Sequence, residues 1–586
     1  MKNPHTWRYY SAQVLLVILG MGIIAQIVRI QNSPQVDALR GQAGIYSGEW
    51  RTLYPARGEI YDRRGNLLAG NQTVYAIGVD LKFVRNPHTI ALALNVQLGL
   101  DYTTIYNKIT QPPPDIVYLV LADFVPADKA SELMHLQEVL ENEPGDPDDP
   151  DRHSLAGLGF KAHLQRSYPE GTLAANVLGF VTQEGRGYYG VEEKYDTSLA
   201  GVPVIRWVPT DPNRADELPQ VSPGASLILT LDREIQVTVE DILDAAIANT
   251  GAESGVIIVM DPRTGEILAM ASTPRLNLNE YWKYANVYPG ETPFNRAISQ
   301  AYEPGSVLKI LTMAAALDTS TVQPQTPFLD TGVIVVGGVN IQNWDQRAWG
   351  PQDMTTCLQH SLNVCLAWVA TQLGTDNFYT YMKRFGLGHT TGIDLAGESA
   401  GRLKIPGDTD WYPVDLGTNA FGQGIAVTPI QMVMAASAIA NDGQMIAPHI
   451  LYAMVNNDKQ YNTTPQIVGM PISPATARML NEMLAISLEG EASSALVPGY
   501  RVAGKTGTAQ IPTPQRTYTA DVTNTSFVGW GPVDDPRFLV YVWLEKPKSS
   551  IWGSEVAAPV FRQVVEKLVV LMAIPPDHIR LQLAGQ

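Results

Sequence analysis

The chain has 586 residues, a formal net charge of −17 at pH 7, 45% hydrophobic and 17% charged residues. That length calls for two to four modules around a large core, and the acidic balance argues against nucleic acid, whose phosphates need Lys and Arg. With only Cys357 and Cys365, a disulfide scaffold or cysteine-rich zinc site is excluded.

On one continuous helix those cysteines would lie about 12 Å apart, too far to bridge. The expectation is therefore two unbonded thiols, unless the helix breaks between them.

The first element is "YYSAQVLLVILGMGIIAQIVRI", residues 9–30. Twenty helical residues rise about 30 Å, enough to cross a hydrocarbon core. No A-x-A-like cleavage site follows, so the segment reads as an uncleaved anchor. Lys2 and Arg8 precede it and Arg29 and Arg40 follow, leaving its orientation open. No later stretch reads as a second span, so the remainder lies on one side of a membrane.

"YPARGEIYDRRGNLLAGNQTVYAIGVDL" (54–81) predicts strands around the turn signal "DRRGN". "PADKASELMHLQEVLE" predicts a helix starting near Asp128, with Leu133, Leu136, Val139 and Leu140 apolar. The acidic "ENEPGDPDDPD" (141–151) reads as a solvated loop. Residues 159–181 return to mixed strand and helix, and "SPGASLILTLD" (222–232) predicts a strand at a module boundary.

"DREIQVTVEDILDAAIANT" (232–250) has the spacing of an amphipathic helix. "SGVIIVMDPRTGEILAMAST" predicts a hairpin, because Pro262 presets a turn that Gly265 can close. Helical patterns dominate 305–490. Strands return at 500–510, 525–533 and 537–545, and 556–573 predicts a closing helix. The implied fold class is α+β, with an antiparallel sheet packed by the terminal helices. No internal repeat is present.

Chemistry is suggested by "YEPGSVLKIL" (302–311). A serine hydroxyl needs a nearby base to become a nucleophile, and residues i and i+3 share a helix face, so Lys309 can serve Ser306. A helix beginning after Pro304 and Gly305 offers free N–H groups and positive potential, which favour an oxyanion and a neutral lysine. Alone, the pair reads first as a capping serine and a surface lysine, since S-x-x-K recurs by chance in any long chain.

"HSLNVC" adds Ser361 and Asn363, and "AGKTGTAQ" adds Lys505, Thr506, Gly507 and Thr508. The order S-x-x-K, S-x-N, K-T-G is the signature of penicillin-reactive serine acyl-transfer enzymes. Ser361 can relay a proton, Asn363 can hold a substrate amide and Lys505 can meet a carboxylate. Gly507 leaves room for a substrate backbone along the strand. Leu362 stands where the signature has Asp, at a position these roles do not use.

"FNRAISQAYEPGSVLKI", "SLNVC" and "GKTGTAQ" resemble the class B penicillin-binding proteins, the monofunctional peptidoglycan D,D-transpeptidases. The resemblance spans nearly the whole chain. "RGEIYDRRGNLLA" (57–69) and "RSYPEGTLAANVLGFV" with "GVEEKYD" resemble motifs of the family's pedestal, with Arg57, Gly58, Asp62, Arg63, Gly65 and Glu192 at matching places. Those charged residues read equally as a structural ion network. "TGIDLAGE" and "FGQGIAVTPIQM" resemble the family's segments between the second and third motifs.

The resemblance implies a cytoplasmic tail at 1–9, a transmembrane helix at 10–30, an elongated mixed α/β pedestal of the dimerisation type at 31–221, a transpeptidase domain at 222–578 and a tail at 579–586. It implies an N-terminus in the cytoplasm and a catalytic domain outside the plasma membrane. Ser306 would attack the penultimate D-alanine of a stem peptide ending in D-Ala-D-Ala, with Lys309 as base. The backbone N–H groups of Ser306 and Thr508 would form the oxyanion hole, and Lys505, Thr506 and Thr508 would bind the terminal carboxylate. β-Lactams would acylate Ser306. No metal or other cofactor is implied. The implied partner is a polytopic SEDS-family glycosyltransferase, together with other division or elongation proteins.

"IAVTPIQM", "SFVGWGPVDDPRFLVYVWLEKPK" and "IPPD" look more like the division-specific type than the elongation-specific one. A β-lactamase or D,D-carboxypeptidase, using water as acceptor, and a non-catalytic division scaffold are the alternatives.

Overall fold

The computed structural model describes residues 6–31, 48–144, 146, 149, 152–209, 221–490, 492–512 and 518–584. Residues 145, 147, 148, 150 and 151 of the predicted acidic loop lie outside them. The chain forms two compact units. One holds residues 1–56 and 201–224; the other holds 57–200 and 225–586.

In the first unit, helix Thr6–Gln31 contains the segment Tyr10–Arg29, long and apolar enough to cross a membrane and exposed along its length. Strand Gly48–Leu53 pairs antiparallel with Val204–Pro209, setting Trp50 opposite Trp207.

The second unit is built on two sheets. The five-stranded sheet is antiparallel, in the order 267–272, 254–260, 538–545, 518–531, 503–512. Its inner strand Ser254–Met260 is buried throughout because both faces are covered. Ile257 and Val259 pack on one side with Val239 and Leu243 of helix Arg233–Thr250 and Phe561 and Val564 of helix Gly553–Leu571. Val256 and Ile258 face the other side and join the cluster of helices Lys309–Asp318 and Pro429–Ala440.

The terminal helices thus cover only half of the sheet; the helical insert covers the other half. Helix Lys309–Asp318 is buried from Lys309 to Leu317, which explains an apolar run without an amphipathic stripe.

The seven-stranded sheet crosses the predicted module boundary. The boundary strand Ser226–Leu229 pairs in parallel with Ile60–Tyr61 on one side and antiparallel with Leu451–Asn456 on the other. Residues 57–200 therefore share a compact unit with the five-stranded sheet. The insert is also less helical than its pattern suggests: 328–352 forms two short antiparallel ribbons. Asp128 lies in the first turn of helix Ala127–Asn142, and Pro126 takes the capping position. The expected tail at 579–586 falls largely within a final helix, Asp577–Ala584.

Candidate active site

Ser306 sits on a short 3₁₀ turn, Gly305–Leu308, and Lys309 opens the α-helix that continues it. A 3₁₀ turn has three residues per turn, so side chains at i and i+3 eclipse. Ser306 is half-buried and Lys309 fully buried. The turn is held from behind: Gly305 N–H donates to Gly422 O at 3.1 Å. A Cβ on Gly422 would lie 2.2 Å from Gly305 O, so the two chains meet only because that position is glycine.

The second motif occupies a break between helices Met354–Gln359 and Asn363–Leu373. Ser361 has φ 52°, a left-handed conformation rarely taken by serine. Leu362 is buried and its N–H donates to Cys357 O at 3.0 Å, so the residue standing in place of Asp serves packing.

The same break overturns the expectation of unbonded cysteines. Cys357 and Cys365 form a disulfide with Cα atoms 6.1 Å apart, because the chain reverses at Ser361 instead of continuing as one helix.

The third motif lies on strand Ala503–Pro512, at the edge of the five-stranded sheet. An edge strand offers backbone groups to an added extended peptide. Gly507 also has a packing role inside the fold. A Cβ there would come within 2.2 Å of Ser526 Oγ and 3.0 Å of both Pro304 O and Val307 Cγ1. The glycine lets the Ser306 turn rest against the strand.

The motifs converge on one hydroxyl. Lys309 Nζ donates to Ser361 O at 2.5 Å, Ser361 Oγ at 3.1 Å and Asn363 Oδ1 at 2.8 Å. Lys505 Nζ donates to Ser361 Oγ at 3.0 Å and to Thr506 Oγ1 at 3.2 Å. Thr508 Oγ1 accepts from Gly553 N–H at 3.0 Å, which ties the strand to the start of helix Gly553–Leu571.

Asn363 Nδ2 donates to Gln342 O at 3.3 Å, and Asn343 Oδ1 accepts from Val364 N–H at 3.1 Å. Gln342 and Asn343 belong to no motif, and nothing in their local sequence marks them.

The pedestal residues form a separate buried network. Glu192, fully buried, accepts from Arg57 Nε at 2.8 Å, Arg166 Nε at 2.7 Å and Tyr168 Oη at 3.3 Å. Asp196 lies 2.8 Å from Arg57 Nη1, and Arg166 Nη1 donates to Gly58 O at 2.8 Å.

Asp62 accepts from Asn66 Nδ2 at 2.9 Å and from the N–H groups of Asn66 at 2.7 Å, Arg64 at 2.9 Å and Arg233 at 3.0 Å. Burial would raise its pKa, but these bonds outweigh burial and hold it below the ordinary 3.8. Gly65 N–H closes the turn onto Asp62 O, and Arg63 Nη2 lies 3.3 Å from Glu266. In this structure Arg57, Asp62 and Glu192 are core residues, not an exposed face. Arg166 and Arg233 were not singled out by the motifs.

A catalytic module with three converging acyl-transfer motifs, joined to a pedestal, defines a class of penicillin-reactive enzymes. The family model for the penicillin binding protein transpeptidase domain matches residues 255–566, and that for the penicillin-binding protein dimerisation domain matches 52–220. The chain belongs to the class B penicillin-binding proteins.

It is 31% identical to stage V sporulation protein D of Bacillus subtilis, over 97% of this chain and 87% of that protein. It is 28% identical to peptidoglycan D,D-transpeptidase FtsI of Escherichia coli, over 98% and 94%. The crystal structure of Mycobacterium tuberculosis penicillin-binding protein 3 with aztreonam shares 26% identity and a TM-score of 0.68, over 90% and 98% of the two chains. Penicillin-binding protein 2X of Streptococcus thermophilus, at 22% identity, has a TM-score of 0.74 over 90% and 81%, a likeness of fold alone.

Proposed function

We propose that the chain is a serine-type peptidoglycan D,D-transpeptidase that cross-links stem peptides and is acylated by β-lactams. The convergence of Lys309 and Lys505 on Ser361 Oγ, beside the Ser306 turn, carries this reading. Ser306 Oγ attacks the carbonyl of the penultimate D-alanine while Lys309 takes its proton. The backbone N–H groups of Ser306 and Thr508 stabilise the oxyanion. Ser361 relays a proton to the departing D-alanine amine, whose carboxylate is held by Lys505, Thr506 and Thr508. Asn363 holds the donor's amide. An amine of a second stem peptide then attacks the ester, forming the cross-link and freeing Ser306.

The decisive experiment is labelling with a fluorescent penicillin. Wild type takes up label and Ser306→Ala takes up none; equal labelling of the two removes Ser306 as nucleophile. Hydrolysis of the penicillin within seconds would instead favour a β-lactamase or carboxypeptidase.

The N-terminus lies in the cytoplasm and the catalytic domain outside. The Cys357–Cys365 disulfide supports this side, since such bonds persist in oxidising compartments. The domain boundaries are residues 10–30 for the membrane helix, 31–221 for the pedestal and 222–578 for the transpeptidase domain. The role is at the division septum, supported by the resemblance of 425–432, 526–548 and 574–577 to division-specific enzymes. A SEDS-family glycosyltransferase is the membrane partner, and it docks on pedestal surface other than the buried Arg57–Glu192 network. Purification from native membranes tests both readings: recovery of an elongation-type partner overturns the septal assignment.

A further inference from the structure

We infer that the Cys357–Cys365 disulfide is a positioning device for the acylation step, acting through Ser361. The inference rests on the active-site reading above. The cystine closes a loop that contains Ser361, Leu362 and Asn363, so it brackets the whole second motif. Both cysteines are fully buried. They stand on the two helices whose junction is the motif, Cys357 on Met354–Gln359 and Cys365 on Asn363–Leu373.

Ser361 is held at φ 52°, where a serine is strained, and this conformation aims its hydroxyl at two lysines. Lys309 also binds the Ser361 carbonyl and Asn363 Oδ1, so the base is located by three oxygens of the bracketed loop. Opening the cystine removes the covalent limit on the angle between the two helices. Ser361 can then relax toward an ordinary backbone conformation, carrying its oxygens away from Lys309 and Lys505. Across the turn, Ser361 N–H donates to Leu358 O at 3.2 Å and Leu362 N–H donates to Cys357 O at 3.0 Å, so one of these ties ends on the cysteine itself. The oxidised chain is therefore the assembled one, and the reduced chain, with two thiols, is the form with slower acylation.

The experiment uses the full-length protein in detergent, with the rate of fluorescent-penicillin acylation as readout. The double variant Cys357→Ser/Cys365→Ser acylates about 10- to 100-fold more slowly, as expected for a misplacement of about 1 Å. The loss falls in the acylation rate constant and not in the binding constant. In a Ser361→Ala background the same two substitutions slow the rate by less than they do in the wild-type background, because the hydroxyl they position is gone while the 361 carbonyl and Asn363 Oδ1 still meet Lys309. Equal slowing in both backgrounds, or a wild-type rate in the folded double variant, overturns the inference.

If the double variant shows no cooperative melting transition, the wild-type protein decides. Dithiothreitol delivers two electrons and two protons to the S–S bond, yielding two thiols and its own cyclic disulfide. With two free thiols counted by mass spectrometry, acylation slows, and reoxidation restores it. An unchanged rate with both thiols free overturns the inference. A wild-type rate in Ser361→Ala alone refutes the active-site reading, which the cysteine variants cannot do.

Discussion

The Ser361 junction and the Glu192 junction both gather charge away from water, but to opposite ends. Around Glu192, two arginines and a tyrosine hold a fully buried carboxylate, with Asp196 against the second face of Arg57. Opposite charges at hydrogen-bond distance fix a geometry, and removing one leaves the other buried and unpaired. Around Ser361, the described acceptors of Lys309 are a hydroxyl, a carbonyl and an amide oxygen, and Lys505 shares the hydroxyl. These oxygens locate the Lys309 amine for its proposed role as the base. One network ties core residues together; the other gathers the residues of the proposed reaction.

The comparison breaks first at Lys309. Lys309→Met should slow penicillin acylation by about 10³-fold or more, near 4 kcal/mol of barrier, while the melting temperature changes little. A variant that acylates normally would make this lysine as structural as Arg57.

Next is Glu192→Gln. Leaving Arg57 and Arg166 with a neutral partner should cost about 3–5 kcal/mol of stability, read in chemical denaturation. Molecules that remain folded should acylate at the wild-type rate; a selective loss of acylation would show that the pedestal network reaches the chemistry.

Gly507→Ala probes where packing and catalysis meet. Its Cβ must displace Ser526 or the Pro304–Val307 turn. Stability should fall by about 1–3 kcal/mol, and acylation should fall with it, since the displaced turn carries Ser306.

The smallest effect is in acid. The folded pKa of Asp62 is depressed, so its contribution to stability is complete above the ordinary 3.8 and is lost as pH falls through the folded value. Asp62→Asn should lower stability at pH 7 and flatten the decline below pH 4. An unchanged acid slope would show that Asp62 does not anchor the Arg233 contact.

Much of the catalytic module was legible because its signals are local. A turn such as "DPRTG" between apolar runs makes its hairpin, and Ser306 and Lys309 lie three residues apart, so the sequence by itself determined that they share a face. It also determined the order of the three motifs and an N-terminal apolar helix. The identity of the pedestal charges was legible too, but not whether they were core or surface. That depended on Arg166 and Asn66 and on the parallel pairing of Ile60–Tyr61 with Ser226–Leu229, a contact across more than 160 residues.

Only the tertiary structure decided that Lys505 reaches Ser361 across 144 residues, that Gly507 makes room for a neighbouring turn, and that the helix breaks so that Cys357 meets Cys365. Periodicity and spacing report the geometry of a single element. Which elements meet, and where a helix gives way, is set by burial and hydrogen bonding summed over the whole fold.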